Sequence, residues 1–289
     1  MISQENFLGD SFMGLRISTN IASINAQKSL ASSQREMEKS YAQLSSGSRI
    51  TKSADDAAGL ALSEFLRGQI GGFEVAKRNA MDGQSMIQVA EGGLNEVSNI
   101  MVRLRELAVQ AASDSVGETE RGFLNKEVQQ ISQELDRIAQ TTKFGSASML
   151  DGTGNEYEFQ VGINNDDFQD RIKMDSGEFD VRLSTLGLDG LDYTTKEGAR
   201  EALEVLDTAQ YGVNGHRATL GALQNRLIST QSNLSTAIEN VSAANSRIRD
   251  ADIAQSSAEL TKNQVLNQAT MSVLAQANQS TAGALQLLG

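Results

Sequence analysis

Residues 220–251 read LGALQNRLISTQSNLSTAIENVSAANSRIRDA. Leu220, Leu223, Leu227, Thr230, Leu234, Ala237, Val241, Ala244, Ile248 and Ala251 recur three and four positions apart, the spacing that keeps one stripe of side chains against a partner helix. Pro is absent here and from all 289 residues, so nothing interrupts the helix. The spacing predicts one helix from near Thr195 to Arg249, about 80 Å long at ~1.5 Å per residue. A capping box of Thr194 and Glu197 opens it, and Gly212 and Gly215 are where it can bend. A rod of that length carries a stripe that only other helices can cover.

The same period recurs upstream. Ile87, Ala90, Leu94, Val97, Met101, Leu104, Ala108 and Ala111 form a second seam, and Leu124, Val128, Ile131, Leu135 and Ile138 a third, after a Gly-containing break around 117–122. Two consecutive helices packed as a hairpin follow from this. Between the helical halves the period falls to two. Tyr157, Phe159, Val161 and Ile163 alternate with polar residues, as do Phe179, Val181 and Leu183, so a small β-hairpin region is expected at about 155–186.

The ends differ from the seams. Ile17, Ile21, Ile24, Leu30, Met37, Tyr41 and Leu44 mark one helical face near the N-terminus. Leu260, Met271, Leu274, Leu285 and Leu288 mark one near the C-terminus, with Leu266, Val273 and Leu287 as a second stripe. The filler is Ala, Ser, Asn and Gln. Such helices bury too little against each other to hold alone, and are expected to order by presenting apolar surface to more than one neighbour. The fold class is therefore mainly α: a long antiparallel helical coiled-coil bundle with paired terminal helices and a small β-hairpin region in the middle.

Composition removes several functions. With no Cys there is neither a disulfide framework nor a thiolate metal site. A net charge of −12 opposes nucleic-acid binding, which needs clustered Lys and Arg. No stretch has the roughly 18 apolar residues of a membrane span, and the N-terminus shows no basic segment followed by an apolar core. Cytoplasmic residence, or exit by a route without such a signal, is expected.

Residues that could carry chemistry have simpler explanations. His216 is the only His, and a lone His makes neither a zinc site nor a triad. Asn164, Asn165, Asp166, Asp167 and Asp170 lack EF-hand spacing and suit a solvated turn. Gly152 and Gly154 begin a GxG, but Tyr157 stands where a third Gly belongs. Asp55 and Asp56 are expected to cap a helix rather than act as paired acids. Arg103, Leu107 and Glu127 read as a heptad neighbour and two solvent charges. No catalytic, cofactor or metal residue is assigned, and no enzyme is expected.

Ordered motifs along nearly the whole chain resemble bacterial flagellin. They are Ile17-Ser18-Thr19-Asn20, Leu44-Ser45-Ser46-Gly47-Ser48-Arg49-Ile50 and Ala54-Asp55-Asp56-Ala57-Ala58-Gly59-Leu60, then Arg78 to Gly83, Glu91 to Glu96 and Arg103 to Gln110. Leu220 to Leu227, Ser246 to Asp252 and Val273 to Gln279 continue them in the C-terminal half. The resemblance implies a structural subunit that polymerises into the flagellar filament for swimming motility. It would be exported unfolded by the flagellar type III system and located outside the cell.

The family pattern makes 14–55 plus 250–289 an inner coiled-coil polymerisation domain, and 56–249 an outer helical bundle. Residues 1–13 are an N-terminal extension or a mis-assigned start: the resemblance begins at Met13, and an added arm would crowd the filament channel. Large variable outer domains are missing, so a thin, smooth filament is expected. Polymerisation is assigned to Ile17, Ile21, Ile24, Leu44, Met271, Leu274, Leu285 and Leu288. Arg103, Leu107 and Glu127 match positions of a protofilament contact that a host toll-like receptor recognises. Implied partners are copies of the chain itself, an export chaperone, the filament cap, hook-associated proteins and other flagellins. The alternatives are a flagellar hook-associated junction protein and a cytoplasmic coiled-coil adaptor rod.

Overall fold

The computed structural model describes residues 19–286, with side chains described through Ser280. The expected extension at 1–13, residues Ile17 and Leu288, and the Leu285 side chain lie outside that description. Along the chain run α1 (Ile21–Ser46), α2 (Ala57–Ala111), α3 (Glu118–Thr141), β1 (Lys143–Phe144), β2 (Ala147–Ser148), β3 (Glu156–Gln160) and β4 (Arg171–Asp175). A 3₁₀ turn (Ser176–Phe179), α4 (Leu183–Leu186), α5 (Lys196–Arg249) and α6 (Ile253–Gln286) complete it. The described residues divide into two compact units, one of those up to Phe65 with those from Ala244 onward, the other Leu66–Ala243. The division falls inside α2 and α5, not in the loops at 47–56 and 250–252.

The second unit holds the main core. Every residue of the Ile87 to Ala111 seam is at most 2% exposed. It packs with Val128, Leu135 and Ala139 of α3 and with Ala199, Ala202, Leu206, Ala209, Val213, Leu220 and Leu227 of α5. Further along α5, Leu234 is buried, whereas Ala237 to Ile248 of the expected seam are only half-covered.

Helix ends refine the expected boundaries. The break between α2 and α3 lies at 112–117, and Gly122 is inside α3. Arg121, in the first turn of α3, reaches back so that Nε donates to the Ala111 carbonyl (2.8 Å) and Nη2 to that of Ser113 (2.9 Å), satisfying the end of α2. At the start of α5 the cap is Thr195, whose Oγ1 accepts from Gly198 N (3.1 Å), and not Thr194, whose N–H donates to Asp192 Oδ1. Gly198 suits this first turn, because a Cβ there would lie 2.5 Å from the Asp192 carbonyl oxygen. The helix runs unbroken through Gly212 and Gly215.

The β-hairpin falls within the expected 155–186, but its second strand needs a correction. β3 pairs antiparallel with β4 in the register Tyr157↔Met174 and Phe159↔Ile172. Phe179, Val181 and Leu183 are not a strand: Phe179 ends the 3₁₀ turn and Leu183 begins α4. Ile172 and Met174 face the core, while Lys173 pairs with Glu158 (2.8 Å) and Asp167 (3.3 Å) on the outer face. The alternation was present in the sequence, masked by charged neighbours. After β4 the carboxylates of Asp175 and Asp180 accept from the N–H groups of Gly177 and Arg182 and turn the chain out of the sheet. Arg182 holds Asp180 at about 2, well below the usual carboxylate range, against an opposing push from burial. A two-residue hairpin, β1–β2, had no signal in the sequence.

Glycines on α2 let this region lie directly on the helix. A Cβ on Gly93 would stand 2.7 Å from both Leu150 Cδ1 and Thr142 Oγ1, and one on Gly83 would stand 2.9 Å from the Phe159 ring. Gly71 and Gly92 meet nothing within 4 Å. Ala gains about 1 kcal/mol over Gly in a helix, whereas overpacking costs ~1–3 kcal/mol. Gly92→Ala is therefore expected to raise the melting temperature and Gly93→Ala to lower it, in parallel thermal scans.

Candidate assembly surface

The first unit is built on α1 and α6. Asn20 caps α1, its Oδ1 accepting from Ser23 N (3.0 Å), and Gly47, at φ +67, closes it by donating to the Gln43 carbonyl (2.8 Å). Asp252 caps α6, accepting from the N–H groups of Ala254 and Gln255. The helices run antiparallel: Asn20 Nδ2 donates to the Ala277 carbonyl (2.9 Å) near one end, and Gln264 Nε2 to Tyr41 Oη (3.1 Å) nearer the other.

The residues that pair them are only in part the expected apolar ones: Leu30, Met37, Leu44, Leu260 and Leu274 take part, and small polar residues fill the rest. On α1 the seam positions are Ser23, Ala26, Leu30, Ser33, Met37, Ser40 and Leu44, with Ala42 and Gln43 also covered beside Leu44 near the end of the helix, and on α6 they are Ser256, Leu260, Asn263, Asn267, Thr270, Leu274 and Ala277. Both sets alternate three and four apart without a slip, so each is a complete heptad seam, written largely in Ser, Ala, Asn and Thr. A hydropathy search passes over it; a search for small residues at that period finds it. Small side chains bring the helices close, but burying hydroxyls and amides drives little association.

Apolar side chains are left outside the seam. Ile21 and Ile24 are each 54% exposed, as is Met271, while Val265 and Val273 reach 60% and 56%. Of the polymerisation residues expected from sequence, Ile21, Ile24 and Met271 thus face outward, whereas Leu44 and Leu274 are half-buried in the seam and act by pairing the two ends.

Beyond Gly47 the chain is clasped. Arg49 N donates to the Arg249 carbonyl (2.6 Å), Ala251 N to that of Gly47 (2.9 Å), and the Arg49 guanidinium to that of Ile248 (2.8 Å). Arg249 Nη1 bonds Glu64 Oε1 at 2.5 Å. Asp55 accepts from Lys52 and Thr51, bonds that hold its carboxyl below the ordinary value, and Asp56 Oδ1 caps α2 by accepting from Gly59 N (2.8 Å).

In the second unit, Arg103 donates to Glu127 Oε1 through Nε (3.1 Å) and Nη2 (2.6 Å), and to Glu106 Oε2 through Nη1 (3.0 Å). Glu127, then Glu106, stabilise the charged guanidinium and raise its pKa. Leu107, at 1% exposure, lies in the core as its reading as a heptad neighbour has it, so the exposed part of this trio is the Arg103–Glu127 pair. His216 meets the Phe179 ring edge-on at 5.7 Å, and burial lowers its pKa. The carboxylates of the 164–170 turn serve the chain itself. Asp166 accepts from the N–H groups of Phe168 and Gln169, Asp170 from that of Asp166, and Asp167 pairs with Arg171 and Lys173.

Charge separates along the same division. Residues 66–243 hold 16 Lys and Arg against 27 Asp and Glu, a net of −11 within the chain's −12. The unit with exposed apolar stripes is nearly neutral.

A model of the bacterial flagellin N-terminal helical region matches residues 17–155, and one of the C-terminal helical region matches 203–288. The chain is 42% identical over 272 residues to a flagellin of Halalkalibacterium halodurans, covering 94% of this chain and 99% of that one. It is 40% identical over 303 residues to a flagellin of Bacillus subtilis, covering 95% and 100%. A solved structure of a putative flagellar hook-associated protein from Vibrio parahaemolyticus aligns with a TM-score of 0.58 at 14% identity, over 68% of this chain and 100% of that one. At that identity the likeness shows the fold alone.

Proposed function

Because the chain belongs to the bacterial flagellin family, we propose that α1 and α6 are the elements through which it polymerises, neighbouring copies covering the stripes they leave open. It is a structural subunit of the flagellar filament, outside the cell. The supporting observation is the mismatch within the first unit, where small polar residues make the intrachain seam while Ile21, Ile24, Met271 and Val273 stay more than half exposed. Fully burying such a side chain is worth about 1.5–3 kcal/mol. The gain in order is thus deferred until copies meet, and assembly runs onto an existing end rather than freely in solution.

The charge partition supports the same division of labour. Near-neutral ends pack together without strong repulsion, and the acidic unit keeps unassembled chains apart. A chain without Cys also suits passage in unfolded form through the flagellar type III channel, with an export chaperone, the filament cap and hook-associated proteins as its other partners. With no large outer domain between β4 and α5, the filament is thin and smooth.

The test is Ile21→Asp with Ile24→Asp. Monomer circular dichroism is expected to match the parent, since neither residue is in the seam, while the critical concentration for seeded assembly rises about tenfold or more, each ~1.4 kcal/mol being worth a factor of ten. Filaments forming at the parent's concentration would remove α1 from the polymer contact.

Arg103 and Glu127 form an exposed, ordered charge pair that a neighbouring subunit or a host toll-like receptor can read. Arg103→Ala is expected to leave monomer melting unchanged and to weaken both seeded assembly and receptor activation by released monomer. Full activation by the variant would end the receptor assignment.

A further inference from the structure

The chain contains four Asp–Gly or Asn–Gly steps, at 82–83, 151–152, 189–190 and 214–215. At each, the side-chain carbonyl carbon can close a five-membered ring with the glycine backbone nitrogen, because glycine has no Cβ to obstruct the approach. Three of the four are protected. Asp82–Gly83 lies within α2 and Asn214–Gly215 within α5, where helical dihedrals turn that nitrogen away and the ladder occupies its N–H. Asp151 Oδ1 accepts from Thr153 N (3.1 Å) and Thr153 Oγ1 (2.7 Å). Burial works against its ionisation, but the bonds from Thr153 and Ser148 prevail and hold the group charged, a poor electrophile.

Asp189–Gly190 has none of this protection. Both residues are exposed, Gly190 sits at φ +84, and a Cβ there would meet nothing within 4 Å. Among the described residues neither the Asp189 carboxylate nor the Gly190 N–H has a hydrogen-bond partner. We propose that Asp189 is this chain's site of spontaneous aspartyl isomerisation.

In the first step the Gly190 nitrogen attacks Cγ of the protonated Asp189 carboxyl. A C–N bond forms, the C–OH bond breaks, and the hydroxyl leaves with the amide proton as water, giving a cyclic imide. One water then adds to either imide carbonyl and a C–N bond breaks. Opening at Cγ restores aspartate; opening at the backbone carbonyl leaves the chain running through Cγ, with the former main-chain carboxylate as the side group. One water leaves and one enters, so no oxidant or cofactor is required. The product carries one more main-chain carbon between Leu188 and Leu191, which are 1% and 8% exposed, just before the fully buried Tyr193. Both leucines cannot keep their places, so ageing subunits loosen at the entry to α5.

The test ages the purified full-length chain for weeks in mildly acidic buffer at physiological temperature, then maps tryptic peptides by fragmentation that separates aspartyl from isoaspartyl. The peptide 183–196 is expected to accumulate the imide, one water lighter, and the isoaspartyl form several-fold faster than the peptides bearing the other three steps. Asp189→Glu, which would need a six-membered ring, is expected to abolish both species. Isomerisation keeping pace at 151–152 or 214–215, none at 189, or an unchanged signal in Asp189→Glu overturns the proposal.

Discussion

Removing residues 273–289 is expected to abolish filament formation while leaving the unit at 66–243 helical and cooperatively melting. The deletion takes Leu274 and Ala277 out of the α6 seam, and with them the carbonyl that accepts from Asn20 Nδ2 at 2.9 Å. The first turns of α1 then lose their partner, and Val273, 56% exposed, is lost from the outward stripe. The core of the other unit draws on none of these residues. Far-ultraviolet circular dichroism and a thermal scan report the retained bundle, and seeded assembly viewed by negative-stain microscopy reports the polymer. Normal filaments from the truncated chain would show that assembly does not depend on the α1–α6 pair.

Tyr193→Ala is expected to destabilise the second unit by ~3–5 kcal/mol, the range for emptying a large buried aromatic site. Tyr193 is fully buried; its Oη donates to the Leu104 carbonyl (3.2 Å) and its N–H to Asn125 Oδ1 (3.0 Å). It thereby ties the segment before α5 to both α2 and α3, and burial pushes its phenol up to about 12, so it stays protonated through the working pH range. Tyr193→Phe keeps the ring and loses one hydrogen bond, a cost of ~1 kcal/mol. At ~2–4 °C per kcal/mol for a unit of this size, the two variants separate clearly in a thermal scan. Equal melting temperatures for both would mean that the ring is not what holds this segment.

Much of the second unit could be read without coordinates because its seams are apolar. Ile87 to Ala111 and Leu220 with Leu227 alternate between apolar and polar at helical spacing, and that contrast is what a periodicity search detects. The hairpin lies inside the expected 155–186, but its second strand is not the expected one because the contrast failed there: β4 hides Ile172 and Met174 among Arg171, Lys173 and Asp175, while Phe179 and Val181 are apolar for reasons of burial alone. The candidate surface was legible only in part. Apolar character singles out Ile21, Ile24, Met271, Leu44 and Leu274 alike, and only the paired helices separate the first three, which are exposed, from the last two, which are half-buried in the seam; heptad spacing already places Leu107 beside a seam, and the fold buries it.

The sequence alone determined that the chain is helical, that its helices are long and that its family is bacterial flagellin, since spacing, the lack of Pro and ordered motifs are local properties of the string. Tertiary structure decided which face of each end helix is spent inside the molecule. Ser23, Ser33 and Asn263 pair α1 with α6 although no hydropathy scale favours them, because close approach of two helices selects for small volume rather than apolarity. The apolar residues were therefore left on the outside, and that outcome exists only once both helices are placed together.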